Sequence, residues 1–387
     1  FGTQPIRVDW FTIVLPSLML NYFGQGALLL EHPEAAENPF YLLAPSWAIY
    51  PMIVLAVAAA VIASQAVISG AYSLTMQAVQ LGFSPRIRID HTSTREYGQI
   101  YIGGINWLLM LGCILLVLAF RTSSNLAAAY GVAVTTTMVI TTILFYVVSV
   151  DRWGWSPAAA GALMGVFLTI DVAFFGANII KVGQGGWLPL VVAGGIYTLL
   201  ITWKSGRRVL AERIQREARP LEEFLAEIAA QQVTRVPGTA IFMSGTASKT
   251  PPALMHNLEH NKVLHQLVIF VTVKTEQIPH VAERDRLEVE HFGQGMYRAK
   301  VHYGFMEEPN IPRILEAAAG SALPRIDPVD TTYFLGRETI ISTSRRSGMA
   351  QWREKLFALM SRNATTATAY FGIPPDRVVE LGEQIEI

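Results

Sequence analysis

The sequence predicts an α-helical polytopic membrane protein followed by a soluble mixed α/β domain. Three observations carry that reading. Six apolar stretches, each long enough to cross a bilayer, follow one another through residues 8–203. Charge is scarce over the same region: of the 30 Lys/Arg and 30 Asp/Glu residues in the chain, only seven and eight precede Thr202. Beyond residue 237, short β-branched runs alternate with helical patterns, as in an ordinary soluble domain.

The spans are expected at 8–30, 47–69, 101–120, 125–150, 157–180 and 187–203. A helix crossing the roughly 30 Å hydrocarbon core needs about 20 apolar residues. The second is unusual, because no charge occurs between Glu37 and Arg86. At about 1.5 Å per residue such a helix overshoots the bilayer. It is expected to tilt, or to continue as an amphipathic segment through 72–81. Loop charge sets the orientation. With the start of the chain cytoplasmic, that side holds Arg7, Arg86, Arg88, Arg95, Arg152, Lys204, Arg207, Arg208, Arg213, Arg216 and Arg219, against Arg121 and Lys181 opposite. The soluble domain then faces the cytoplasm too. Trp10, Trp47, Trp107, Trp153, Trp155, Trp187 and Trp203 lie near the expected span ends, where amphipathic rings favour the interface.

The spans carry polar groups that lipid-facing helices do not need: Asn21, Gln25, Gln65, Asn106, Asn178 and the run Thr135, Thr136, Thr137, Thr141, Thr142. The Thr hydroxyls have a local outlet, bonding back to carbonyls of the preceding turn. Asp171 is the one acid well inside a span. Ionised at mid-membrane it costs about 3 kcal/mol on insertion scales. It needs a partner, a bound cation or a titratable role, or else it is a protonated or hydrogen-bonded structural group. Ser123 to Tyr130 places hydroxyls, an amide and a phenol at the start of the fourth span; capping by Ser123, Ser124 or Asn125 accounts for part of this.

A basic, helical, amphipathic connector is expected at 204–236, and Pro237-Gly238 punctuates the chain before an α/β domain over 237–387. Strand patterns fall at 239–244, 267–275, 285–291, 296–305, 332–342 and 378–387, and helical ones at 252–260, 309–319 and 349–364. Gly293-Gln-Gly295 is too short for a dinucleotide fingerprint and reads as a hairpin turn. His256 and His260 lie i,i+4 on a helix with His265 nearby, but with no HExxH and no evident third ligand they do not define a metal site. No nucleophile–base pair is readable, which argues against a membrane enzyme. Net charge is zero and no aromatic-interleaved basic patch occurs, so nucleic acid is not an expected partner. Cys113 stands alone in an apolar run, where a buried, inert thiol is expected. The chain opens without Met or a signal peptide and reads as the inside of a longer protein.

Several strings are similar to one family. Leu20-Asn-Tyr-Phe-Gly-Gln-Gly-Ala-Leu-Leu-Leu30, Val61-Ile-Ala-Ser-Gln-Ala-Val-Ile-Ser-Gly70, Ser123-Ser-Asn-Leu-Ala-Ala-Ala-Tyr-Gly131, Gly185-Gly-Trp-Leu-Pro189, Arg235-Val-Pro-Gly-Thr-Ala240, Ala253-Leu-Met-His-Asn-Leu258 and the closing Glu380-Leu-Gly-Glu-Gln-Ile-Glu-Ile387 resemble the KUP/HAK/KT potassium uptake permeases. The resemblance covers essentially the whole chain, and the bacterial low-affinity type is nearest. It implies potassium–proton symport across the inner membrane by a twelve-span, LeuT-like (amino acid–polyamine–organocation) core with a cytoplasmic tail. The six spans here then correspond to the seventh through twelfth. The first six, with much of the ion site, are absent from this sequence. By the same resemblance, Tyr130 contacts potassium through its phenol oxygen and Asn125 is a neighbour that binds or orients. Asp171 has a counterpart whose role is proton coupling or packing. No cofactor is implied. The partners are potassium, protons, the lipid bilayer and a second copy meeting through the cytoplasmic domain, which in some members binds a cyclic dinucleotide. Two other readings stand beside this one: an organic-substrate permease on the same fold, and a sensor whose helices mainly anchor the tail.

Overall fold

The computed structural model describes residues 2–91, 100–231, 233–341 and 349–386; Arg95, Gln232, Ser342 and Ile387, used above, lie outside the described residues. The chain divides into two compact units, residues 1–70 and 71–387. Among the described residues, six helices are long and apolar enough to cross a membrane.

In the first unit, α1 (Thr3–Glu31) contains a π-helical turn at Trp10–Val14. Pro16 follows directly, and its ring would strike the Thr12 carbonyl of a regular helix; the wider turn relieves that clash. The short helix Pro39–Leu42 leads to Leu43, whose side chain lies against Gly24 of α1. Gln25 donates to Asn21 Oδ1 at 3.1 Å, so these two polar groups satisfy each other along one helix face.

The second helix, α2 (Ile49–Gln80), runs for 32 residues without a break, about 48 Å. In the second unit its last turns bury Tyr72, Met76, Val79 and Gln80. Three spans follow: α3 (Gly103–Phe120), α4 (Ser123–Asp151) and α5 (Pro157–Ile179). Tyr72 of α2 donates to Asn106 Oδ1 of α3 at 3.1 Å. The α3–α4 link is only two residues, made possible by Arg121 in the left-handed conformation (φ 55°). Thr122 caps α4, its Oγ1 accepting from the Asn125 N–H, rather than Ser123, Ser124 or Asn125. Cys113 is exposed on α3, not buried. That helix is apolar all round, so its packed and exposed faces look alike in sequence.

The sixth helix, α6 (Trp187–Glu217), is continuous through the expected span end at Trp203 and reaches well into the connector. Hydropathy falls there, but nothing in the sequence breaks the helix before Ala218 turns extended. A second helix, α7 (Leu221–Gln231), then packs Leu221, Leu225 and Ile228 onto a six-stranded sheet.

The strands of the sheet are β1 (Thr234–Ser244), β2 (Val263–Glu276), β3 (Leu287–Gly293), β4 (Met296–Gly304), β5 (Thr331–Ile341) and β6 (Val378–Glu386). They lie in the order β3-β4-β2-β1-β5-β6. All pairings are parallel except β3 with β4. The β3–β4 hairpin turns on Gly293, Gln294 and Gly295, all at positive φ, and a Cβ on Gly295 would meet the Gln266 carbonyl at 2.2 Å. Pro237-Gly238 forms a bulge within β1, where Gly238 (φ 97°) lies against Asp330 and the register shifts between Val236 and Thr239.

Alternation along the central strands separates two cores. Ile241, Ile269, Tyr333 and Leu335 face one side with α9 (Ile311–Ala318). Phe242, Phe270 and Phe334 face the other with α7 and the short α8 (Pro252–His256). This is a three-layer arrangement, helices on both faces of a mostly parallel sheet.

A third core joins α6 to this domain. Trp203 and Leu210 pack on Phe357 of α10 (Gln351–Arg362), with Ile340 and Ile385. The Phe357 ring is fully buried and lies so close to Gly206 that a Cβ there would come within 2.4 Å of it. Arg353 wraps the same helix, donating to Thr202 Oγ1 (3.0 Å), the Ile201 carbonyl (3.0 Å) and Ser205 Oγ (3.2 Å). At the end of α2, Gln80 donates to the Glu307 carbonyl at 2.8 Å and accepts from Tyr370 Oη at 3.0 Å. The Arg86 guanidinium lies over the Tyr370 and Phe371 rings, 5.1 Å from each centroid, and its carbonyl accepts from the Thr365 N–H.

Gly206→Ala should destabilise the chain by about 1–3 kcal/mol, the cost of overpacking. Gly194→Ala, with open space around it, should change little; urea unfolding in detergent compares the two. The Glu307 carboxylate accepts from Arg286 (2.6 Å) and from the Gly304 (2.6 Å) and Val281 (3.1 Å) amides. Burial pushes it up, but Arg286 and the two amides outweigh this and hold it below the usual carboxylate range. Its stabilisation is therefore complete above that range and is lost as pH falls through the depressed folded value. Glu307→Gln should flatten the acid limb of stability measured between neutral pH and about pH 3.

Candidate functional site

Helices α4 and α5 carry all three site residues expected from the sequence. Their contact is built on small groups. Ala128, Ala129, Val132, Thr135, Thr142 and Ser149 form a buried stripe along α4, and α5 contributes Ala160 and Asp171. Gly131 leaves room for the Asn178 side chain of α5: a Cβ there would fall 2.3 Å from Asn178 Oδ1. Asn178 turns its amide nitrogen back to the Phe174 carbonyl, at 2.9 Å.

Asp171 sits in this contact, 6% exposed. Its Oδ2 accepts from Thr142 Oγ1 at 2.5 Å. The rest of the threonine run divides. Thr135, Thr136 and Thr137 bond back to the carbonyls of Gly131, Val132 and Ala133 at 2.8, 2.7 and 3.0 Å, as local chemistry favours. Thr142 instead spends its proton on the neighbouring helix. Its spacing of seven from Thr135 puts both on the buried stripe, and that phase was the one signal in the sequence that singled it out. Which acceptor it would meet depended on the register of α5.

Tyr130 lies elsewhere. It is 70% exposed, and its phenol has no hydrogen-bond partner among the described residues. Helical geometry explains the separation. Twelve residues before Thr142 is about 18 Å along the axis and about 120° around it, off the packed stripe. Asn125 is exposed too, on the first turn of α4. It lines a shallow recess of about 410 Å³ with Phe120, Gly185, Trp187 and Leu188. Here the glycine pair of the α5–α6 loop has a steric reason. A Cβ on Gly185 (φ 126°) would meet the Phe120 ring at 2.4 Å, and one on Gly186 would meet Val132 at 2.5 Å. The structure thus brings Asp171 to Thr142, leaves Tyr130 and Asn125 on open surfaces, and does not gather the three into one cluster.

The soluble domain holds a larger cavity, about 870 Å³, between α6 and the carboxyl ends of β1, β2 and β5. Arg86, Arg207, Lys249, His256 and Glu338 are among its lining residues. Arg207 pairs with Glu338 at 3.1 Å, while burial and the nearby Arg207 push the Arg86 guanidinium down from its usual value.

Six long apolar helices, polar groups buried between two of them, and an α/β domain locked to the last define a multi-pass membrane protein. Residues 1–208 match the K+ potassium transporter integral membrane domain, and residues 237–387 match the K+ potassium transporter C-terminal domain. The chain belongs to this potassium transporter family. It is 57% identical to the probable potassium transport system protein Kup 1 of Geobacter sulfurreducens, over the whole chain and 61% of that protein. It is 55% identical to the probable Kup of Myxococcus xanthus and 52% identical to the probable Kup 2 of Chromobacterium violaceum, covering 59% and 62% of their lengths. The chain thus spans about three fifths of these relatives, which are named as transport proteins and not as enzymes.

Thr142→Val should leave the Asp171 carboxylate without its donor and cost about 1–2 kcal/mol. Thr136→Val, which removes only a back-bonded hydroxyl, should be nearly neutral. Unfolding in mixed micelles, monitored by circular dichroism, ranks the two.

Proposed function

We propose that this chain works in potassium uptake across the cytoplasmic membrane, as the later spans and cytoplasmic tail of a potassium:proton symporter. The observation that carries the reading is the match of residues 1–208 to the potassium transporter membrane domain. The relatives' names point the same way. The excess of Arg and Lys in the loops assigned to the inside supports a cytoplasmic α/β domain. The full core would be of the twelve-span, LeuT-like type, with ions bound near the midplane. Protons, the surrounding bilayer and a second copy docking through the α/β domain complete the proposed partners.

In this reading Tyr130 supplies a phenol oxygen that replaces one water of the potassium hydration shell. Its unpartnered hydroxyl leaves that oxygen available. Asn125 flanks it on the same helix, one to two turns earlier. Asp171 takes the proton-linked or packing role, and its buried bond to Thr142 favours packing in the described arrangement. The test is rubidium uptake into proteoliposomes by the upstream-extended reading frame, with and without an inward proton gradient. Gradient-dependent uptake competed by potassium supports the symporter; well-folded protein that takes up no rubidium moves the assignment to an organic substrate or a sensor. Tyr130→Phe should raise the KM for rubidium by about tenfold, equivalent to losing about 1.4 kcal/mol of binding. Unchanged kinetics would remove Tyr130 from the site.

A further inference from the structure

The π-helical turn that follows α8 carries a feature the transport reading does not use. His256, at the end of α8, and Glu259 and His260, within the turn Asn257–Asn261, each offer one donor atom, and these atoms all lie within 4.8 Å of one another. The two imidazole rings are nearly parallel, 6° apart, with centroids separated by 6.1 Å. The sequence showed the histidine pair but no third donor; the structure supplies Glu259, and His265 on β2 is not part of the cluster.

We propose that His256, Glu259 and His260 form a binding site for a divalent transition-metal ion of the zinc class. Two imidazoles and one carboxylate are a donor set that suits zinc, and bonds of about 2.0–2.2 Å would draw the three donor atoms closer together than they are now. Glu259 and His260 are exposed, so side-chain rotation alone can make that adjustment. The backbone beneath them is already fixed. Asn257 is buried, donates to the Val263 carbonyl at 2.9 Å and accepts from Asn261 Nδ2 at 2.9 Å, and Lys262 closes the turn in the left-handed conformation. A scaffold held from below with its donors projecting outward has little backbone ordering left to do when an ion binds. Three protein ligands leave a coordination position for water or a further group. His256 also lines the 870 Å³ cavity, so a bound dication would place positive charge at its rim.

The test uses the full chain, purified in detergent through a tag that contains no histidine and stripped with a chelator. Cobalt titration followed by absorption, then zinc competition, should give one tight equivalent with a tetrahedral-type spectrum. Glu259→Gln and His260→Gln should each weaken zinc binding at least about tenfold, since even outer partners of metal ligands contribute about 10- to 100-fold. Zinc should raise the unfolding temperature of the parent chain and lose that effect in both variants. Both positions are exposed, so the metal-free variants should unfold like the parent, which separates lost binding from lost folding. Cobalt that binds several equivalents weakly, with both variants like the parent, marks an adventitious ion only and overturns the site. So does the absence of binding.

Discussion

The contact between Gly206 and Phe357 is the constraint on which the link between membrane and soluble parts depends. A helix that leaves the bilayer enters water, where nothing obliges its polar backbone to stay helical. Here α6 continues because a domain core forms directly on it. Phe357 is completely buried against a position without a side chain, Trp203 and Leu210 close the ring's flanks, and Arg353 bonds to three points on the same turns. Bulk at position 206 would lift α10 from the helix and with it the edge of the sheet at β5 and β6. The end of α2 reaches the same domain by other means, through Gln80 to Glu307 and Tyr370 and through Arg86 stacked on two rings. Two membrane helices are therefore tied to one soluble body, α6 by apolar packing with the Arg353 hydrogen bonds and the end of α2 by polar and cation–π contacts.

Inside the membrane region polar groups follow one rule with two outcomes. A hydroxyl can use the carbonyl four residues back, and Thr135, Thr136 and Thr137 are thereby satisfied within their own helix. A carboxylate has no such local donor, and Asp171 must be met from outside. The Gly131–Asn178 approach brings α4 near enough for Thr142 to do so. Tyr130 escapes both outcomes: it is exposed, and its hydroxyl has no hydrogen-bond partner among the described residues.

Much of this was legible in the sequence, for identifiable reasons. The spans were, because about twenty uncharged apolar residues have no other stable use. The strands were, because β-branched runs such as the one around Val268–Val273 are short and bounded by turns. What was not legible depended on partners distant in the chain. Hydropathy located the end of the sixth span near Trp203 and the pattern beyond it was helical, but that the two form one unbroken helix was not readable, since Phe357, some 150 residues later, packs across the join. Pro237-Gly238 punctuates the chain, but bulges and turns use the same residues, and that it sits as a bulge inside β1 against Asp330 was not readable. Thr122 is masked as a cap by the two serines that follow it. Cys113 cannot be oriented from the sequence, because α3 offers no polar face. Of the candidate site, the residue types were readable from the resemblance, whereas their dispersal over different faces of α4 and α5 required coordinates.

The Thr142–Asp171 bond also bears on how the protein is made. Asp171 raises the cost of inserting α5 by about 3 kcal/mol if it enters lipid alone and ionised. Its donor, however, belongs to the span synthesised just before, and only residues 152–156 separate the two helices. When α5 leaves the ribosome, α4 is already at the translocon with Thr142 on its small-residue face. The two can partition into the bilayer as a hairpin, the carboxylate shielded from the outset. Disrupting that pairing would be felt first as a failure of biogenesis, in fewer molecules reaching the membrane, before any molecule that arrived could be asked to transport.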